Sequence, residues 1–443
     1  MRTIKRLGIM SLLGVLFFVL AACQNKDSSA EQEKPASVDP EEVSGNITVW
    51  AWALEADYLK SIVEEFNKKY PNVNVEVNKQ GPDQVFQRLV SGLASGQESQ
   101  LPDLVQIQDA ELPSFTEKFP DSFTNLSDLG FSEHDGSFAA AKEEMVKNSK
   151  GNYIAFPRDL GPVGVFYRKD IFKEAGVDAE SIETWDDYIK AGKKIKKKTG
   201  TAMLGLELNG HIPLTRFMIH QQESFYFDDD GNLNVGSEET LRAVKEIKEL
   251  VDSDITENVT NSDGLAAAMK NGEVATIPNS VWYNGTMYDQ APELSGNWGT
   301  FPLPKFEEKG GHAANSGGSS FAIPKGSDNK SAAYLFGEFL STNVKNQITA
   351  LEDHGLFPSL TEAYDQPEFS EGVDYFGGEK FYKKFADIAV EIPEVTYTGD
   401  YPEVNDILNE EVASMILNSE TPEEVVNSFV ERVESSTGKK DKN

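Results

Sequence analysis

The chain reads as an α/β fold, and three consecutive stretches carry that reading. Ile47-Thr48-Val49-Trp50-Ala51-Trp52 is an apolar run rich in strand-forming residues. Tyr58, Leu59, Ile62, Val63, Phe66 and Tyr70 follow on one face of a 3.6-residue period, the stripe of an amphipathic helix. Val73, Val75 and Val77 then alternate, as a strand with one buried face does. Strand, helix and strand in that order open a layered α/β architecture.

The alternation continues down the chain. Val85–Leu93 has a helical pattern, Pro102–Ile107 a strand, and Leu112–Phe119 a short helix. Tyr153–Phe156 and Val163–Tyr167 read as strands separated by Pro157-Arg158-Asp159-Leu160-Gly161-Pro162. Two prolines and a glycine inside a β-rich stretch predict a crossing between domains. Thr184 is placed to cap the next helix, with Asp186 and Asp187 in its first turn. The lysines of 193–198 complement the dipole at that helix's far end, so they read as a solvated terminus. Leu241–Val251 and Ser331–Leu340 are also helical in pattern.

The sequence before this body is of another kind. Arg2, Lys5 and Arg6 precede an apolar run from Leu7 to Leu20, which closes on Leu20-Ala21-Ala22-Cys23. A basic start, a short apolar core and small residues before a cut site mark an export signal. The run is shorter than the roughly 20 residues a permanent membrane helix needs. With the lone cysteine at the cut, the pattern is that of a lipoprotein: residues 1–22 removed, and Cys23 acylated at the outer face of the cell membrane. Residues 23–45 are polar and acidic, without aromatics, and are expected to form a flexible tether.

Charge narrows the partners. The net charge is −32, and removing residues 1–22 strips three positive charges and no acid, leaving −35. Such a body is repelled by nucleic acid and anionic headgroups, and a neutral ligand suits it most simply. With the only cysteine acylated, disulfides and cysteine-based sites are excluded. Asp228–Asn234 resembles a calcium loop but has Leu233 where the loop needs glycine, so an Asp-Gly turn is the better account. No paired-histidine zinc motif, Gly-x-Ser-x-Gly or phosphate loop is present in the sequence. No cofactor is expected.

Several segments together carry a family resemblance. They are ITVWAW (47–52), FNKKYPNVNVEV (66–77), LASGQESQLPDLVQIQDAELPSF (93–115) and YIAFPRDLGPVGVFYRKDIFKEAGVD (153–178), then ETWDDYIKAGKKI (183–195), NGEVATIPNSVWYNG (271–285) and the stretch 297–340. In this order, behind the lipoprotein pattern, they resemble the maltose-binding-protein-like solute-binding proteins of carbohydrate ABC transporters. The match runs from about Ile47 to Leu340 and is looser beyond. The resemblance implies a two-lobed periplasmic-binding-protein-like fold, with a multi-strand hinge and a ligand cleft between the lobes. It places hinge crossings near Arg158–Gly164, Trp298–Pro304 and Leu340–Asn346. One lobe would be residues 46–160 with 304–340, and the other 161–303 with 341–443. It further implies an oligosaccharide ligand, closure of the lobes on it, and delivery to the permease subunits in the membrane by a monomeric binding protein.

Sugar sites combine aromatic faces for the C–H patches of the rings with planar groups for the hydroxyls. Trp52 is nearer the end of the first strand than Trp50 and is the cleft candidate there, with Glu55 beside it. Gln108, Asp109 and Glu111 follow the strand ending at Ile107, in a loop the family uses for polar contacts; helix capping by Asp109 is the competing role. Arg158 and Asp159 stand on the proline-bounded crossing. Trp282 and Tyr283 follow Ile277-Pro278-Asn279-Ser280, where the family places a sugar-stacking tryptophan. Asn279 could bond a hydroxyl or cap a helix. Gly317-Gly318-Ser319 would admit close backbone approach at Gly318. Two alternatives remain open: the same fold with a non-sugar solute, for which Tyr397 and Tyr401 approximate an iron pair, and a surface carbohydrate-active enzyme with paired carboxylates.

Overall fold

β1 (Gly45–Ala51), β2 (Val73–Lys79) and β3 (Leu104–Gln108) form the parallel heart of the first lobe, with β1 in the middle. The structure, a computed structural model, describes residues 34–35 and 38–443 apart from 209 and 307–309. The expected export signal, Cys23 and most of the tether lie outside the described residues. The end of that tether is anchored: Val43 is buried in the first lobe's core, and Asn72 Nδ2 donates to the Glu41 carbonyl at 2.7 Å. A valine in an otherwise polar stretch finds apolar surface to cover.

Among the described residues, ten strands make two five-stranded sheets. In the first, β10 (Ser319–Ala322) runs antiparallel between β3 and β4 (Phe156–Pro157), giving the order β2-β1-β3-β10-β4. In the second, β5 (Val163–Arg168) lies antiparallel between β8 (Val274–Ser280) and β9 (Trp298–Pro302). β6 (Ala202–Leu206) pairs parallel with β8 and with β7 (Thr256–Asn258). The helix Ala53–Lys69 puts Tyr58, Leu59, Ile62 and Phe66 into the first core, as their spacing predicts. Thr184 caps the helix Trp185–Thr199 in a reciprocal box with Asp187. Phe227 pairs with Leu233 around the Asp228–Asn232 turn.

The hinge is three short segments lying side by side. Residues 158–163 form the middle one. Val163 N–H donates to Ala314 O at 2.9 Å and Ser316 N–H to Gly161 O at 2.8 Å on one side. Leu160 N–H donates to Phe357 O at 3.0 Å on the other. A Cβ on Gly161 would lie 2.1 Å from Ser316 O, so the two backbones can approach this closely only at a glycine.

Pro157 and Pro162 bracket the middle segment. The other two lie later in the chain than expected. Leu303, Phe306 and Ala314 pack into the second lobe's core, so the chain crosses back near 315–319 instead of 298–304. The stretch 340–346 stays with the first lobe: Leu340 is in its core and Asn346 accepts from Tyr58 through its carbonyl at 2.7 Å. The third crossing passes through Phe357–Ser359, where Asp159 pairs with Pro358. The apolar residues that decide these boundaries are too few and scattered to show periodicity.

Candidate functional site

In each lobe, aromatic side chains with open surface stand near the ends of strands. β1 ends at Ala51, and Trp52 begins the next helix with its backbone N–H donating to Gln106 Oε1 at 3.0 Å. Trp52, Pro82, Phe86, Ile107, Gln108 and Glu111 line a cavity of about 190 Å³. Phe86 is partly exposed there. Burial pushes the Glu111 carboxyl above the usual range; Lys118 opposes this and Asp406, from the second lobe, adds to it. Trp50 is buried instead, under the Arg88 guanidinium 3.9 Å from its ring centre.

The second lobe presents Trp282 at the end of β8. Its indole is 48% exposed, yet Nε1 donates to the Ser316 carbonyl of the hinge at 3.0 Å. The half-buried Tyr397 and Tyr401 form a T-shaped pair at 4.8 Å, and Tyr401 stacks on Phe225. Arg216 lies beneath them, buried, holding Asn315 O at 3.2 Å and Ser316 Oγ at 3.1 Å. Burial, and the neighbouring Tyr401 after it, push the Tyr397 hydroxyl above the usual tyrosine range.

Four expected ligand groups are buried in internal contacts and do not reach the cleft. Arg158 Nε donates to Glu55 Oε1 at 2.9 Å and Nη1 to Gln347 Oε1 at 2.9 Å, with both charged side chains essentially unexposed. Asp109 accepts from Lys142 at 2.5 Å and from Ser320 at 2.6 Å, and its side chain caps no helix. Tyr283 is packed in the second lobe near Phe166. In each case a polar residue beside the cleft sits where the lobe's own core closes over it. Asp159 is half-buried and accepts from the Ser319 N–H at 2.7 Å and hydroxyl at 2.6 Å, which ties the first crossing to the second. Asn279, also half-buried, accepts from the Ser280 N–H. Gly318 has φ +105°, and a Cβ there would lie 2.6 Å from Asp109 Oδ2; its role is to let the hinge pass.

Lys142 is the largest omission from the sequence reading. Fully buried, it donates to Asp109, to the Asp159 carbonyl at 2.9 Å and to the Ser319 carbonyl at 2.7 Å. All three ammonium hydrogens are thereby used. Its setting, Ala-Ala-Ala-Lys-Glu-Glu, looks like any exposed helix. Arg216 did leave a signal: a lone cation in the apolar run Pro213–Ile219 must find buried acceptors.

The model for bacterial extracellular solute-binding proteins matches residues 52–347, more than half of the chain. The chain belongs to this family. Among curated relatives of this solute-binding protein, the lactose-binding protein of Rhizobium radiobacter is 32% identical over 362 residues, spanning 80% of this chain and 84% of that one. The arabinooligosaccharide-binding protein of Halalkalibacterium halodurans is 28% identical over 450 residues, 98% and 99% of the two chains. Among solved structures, the sugar-binding protein MalE from Xanthomonas citri superposes with a TM-score of 0.76 at 20% identity, over 88% of this chain and 97% of that one. The two-lobed solute-binding fold is therefore shared.

Proposed function

We propose that this solute-binding protein captures a neutral oligosaccharide outside the cell membrane and delivers it to the permease of an ABC importer. The observation that carries this reading is the set of aromatic rings with open surface on both lobes: the half-buried Trp52 and the exposed Phe86 on one, the exposed Trp282 on the other. Such rings cover the apolar faces of sugars, and the half-buried Glu111 and Asn279 offer planar partners to hydroxyls. The printed names of the lactose- and arabinooligosaccharide-binding relatives support the same class. Electrostatics argues against an anionic solute: Arg158, Lys142 and Arg216 are all engaged internally, and Glu111 and Asp406 bring acid to the cleft. Acylation of Cys23 would keep the monomer beside its permease. No catalytic role is proposed, since the buried carboxyls of Glu55 and Asp109 are locked on cations.

Titration calorimetry against neutral di- to tetrasaccharides tests this. One or more should bind, and Trp282→Ala should weaken that ligand by about 2 kcal/mol, roughly 30-fold, as loss of an aromatic anchor does. An unchanged affinity in that variant would remove Trp282 from the site. Turnover of a saccharide by the purified protein would overturn the reading altogether.

A further inference from the structure

We infer that Ser114, Glu117 and Gly399 form a latch that draws the two lobes together before any solute arrives, and so sets affinity without touching the ligand. The contact joins parts of the chain that belong to different lobes. The helix Leu112–Lys118 is rooted in the first lobe by Leu112 and Phe115, both buried in its core. Gly399 lies between Tyr397 and Tyr401, which pack on the second lobe's core. Across the gap, the Gly399 N–H donates to Glu117 Oε1 at 2.8 Å, and the Gly399 carbonyl accepts from Ser114 Oγ at 3.2 Å. Ser114 and Glu117 are three residues apart, so one helix face presents a hydroxyl donor and a carboxylate acceptor to the two halves of one peptide unit.

The missing side chain at Gly399 leaves room for the Glu117 carboxylate. A Cβ at position 399 would lie 2.6 Å from Glu117 Oε2 and 3.6 Å from Ser114 Cα. An alanine there would displace the Glu117 carboxylate, the acceptor of the latch, while leaving Ser114 at ordinary contact distance. Neither latch residue lines the cavity beside Trp52, although Glu111, one turn earlier on the same segment, does. The segment therefore has two jobs at separate positions: Glu111 faces the solute space, and Ser114 with Glu117 grips the other lobe.

The consequence follows from population arithmetic. A solute that binds only the closed form has an apparent dissociation constant equal to the intrinsic one divided by the closed fraction. Contacts that raise the closed fraction of the empty protein tighten binding and slow release. The inference rests on the lobe-closing reading given above, but part of its test needs no solute.

Small-angle scattering of the empty protein is compared for the native chain, Ser114→Ala/Glu117→Ala and Gly399→Ala. Release of a bound oligosaccharide is then followed by stopped flow. Both variants should show a larger radius of gyration without ligand and release the ligand roughly 5–20-fold faster. Glu117 is exposed and contributes nothing to a core, so the double variant tests the latch even if Gly399→Ala folds poorly. Scattering from the empty double variant that superposes on the native curve would overturn the latch, whatever happens to affinity. Absence of any sugar binding would count against the proposed function and leave the scattering comparison standing.

Discussion

Lys142→Met is expected to lower the melting temperature by roughly 6–20 °C in a calorimetric scan. The figure follows from the cost of removing one partner of a buried ion pair, about 3–5 kcal/mol, at roughly 2–4 °C per kcal/mol for a domain of this size. Burial already pushes the Asp109 carboxyl up, and the Lys142 ammonium is what holds it back. Methionine fills the space but strands that carboxyl and two hinge carbonyls, Asp159 O and Ser319 O. Pairing the change with Asp109→Asn should restore part of the loss, because an amide costs less to bury than an unpaired charge. A drop of under about 2 °C for the single variant would mean that the site relaxes and readmits water.

The second large effect is a loss of stability in mild acid, governed by His220. Its ring is buried on the helix Pro213–His220, where Nε2 meets the Pro393 carbonyl at 2.9 Å and Nδ1 accepts the Asn315 N–H at 3.3 Å. Burial first, and the neighbouring Arg216 charge after it, hold the ring's titration down to about 4 from the ordinary 6.5. Between those values the unfolded chain takes up a proton that the folded chain refuses. Stability is therefore complete above pH 6.5 and falls as the pH drops towards 4, by about 3 kcal/mol in total. Urea unfolding at pH 7, 6 and 5 should show His220→Gln weaker than the native protein at pH 7 but with a distinctly shallower acid slope. Parallel slopes for the two proteins would remove His220 as the titrating group. Protonation would also expel the Asn315 N–H, so the second hinge crossing should be the first part to loosen.

The scaffold was legible because its signals are local. Valines 73, 75 and 77 alternate, the stripe from Tyr58 to Phe66 repeats at helical spacing, and Thr184 with Asp187 makes a capping box; each needs only neighbours in the chain. Trp52 and Trp282 follow β1 and β8 closely, so their places at strand ends were readable from the strand patterns. Glu55, Arg158 and Asp109 could not be assigned in the same way. Whether a charge beside a cleft faces solvent or a partner depends on residues such as Lys142 and Gln347, remote in sequence from the groups they meet. Tyr397 and Tyr401 were visible as a pair, but only folding sets them beside Arg216 and Phe225.

β10 enters the first sheet between β3 and β4 although Ser320 and Asp109, which touch there, are 211 residues apart in the chain. The second lobe is as discontinuous, since Val404, Leu408, Val412 and Phe429 complete the core around β5 and β6. The first lobe's core is completed by Leu360 and the second's by Val433, so neither can finish until most of the chain is available. Contacts so distant in sequence make for slow folding. A chain of this design holds no finished lobe until Leu360 is in place, and the second lobe still waits for its last helices after that. Refolding followed by pulsed hydrogen exchange should accordingly show the two sheets gaining protection in one shared slow phase.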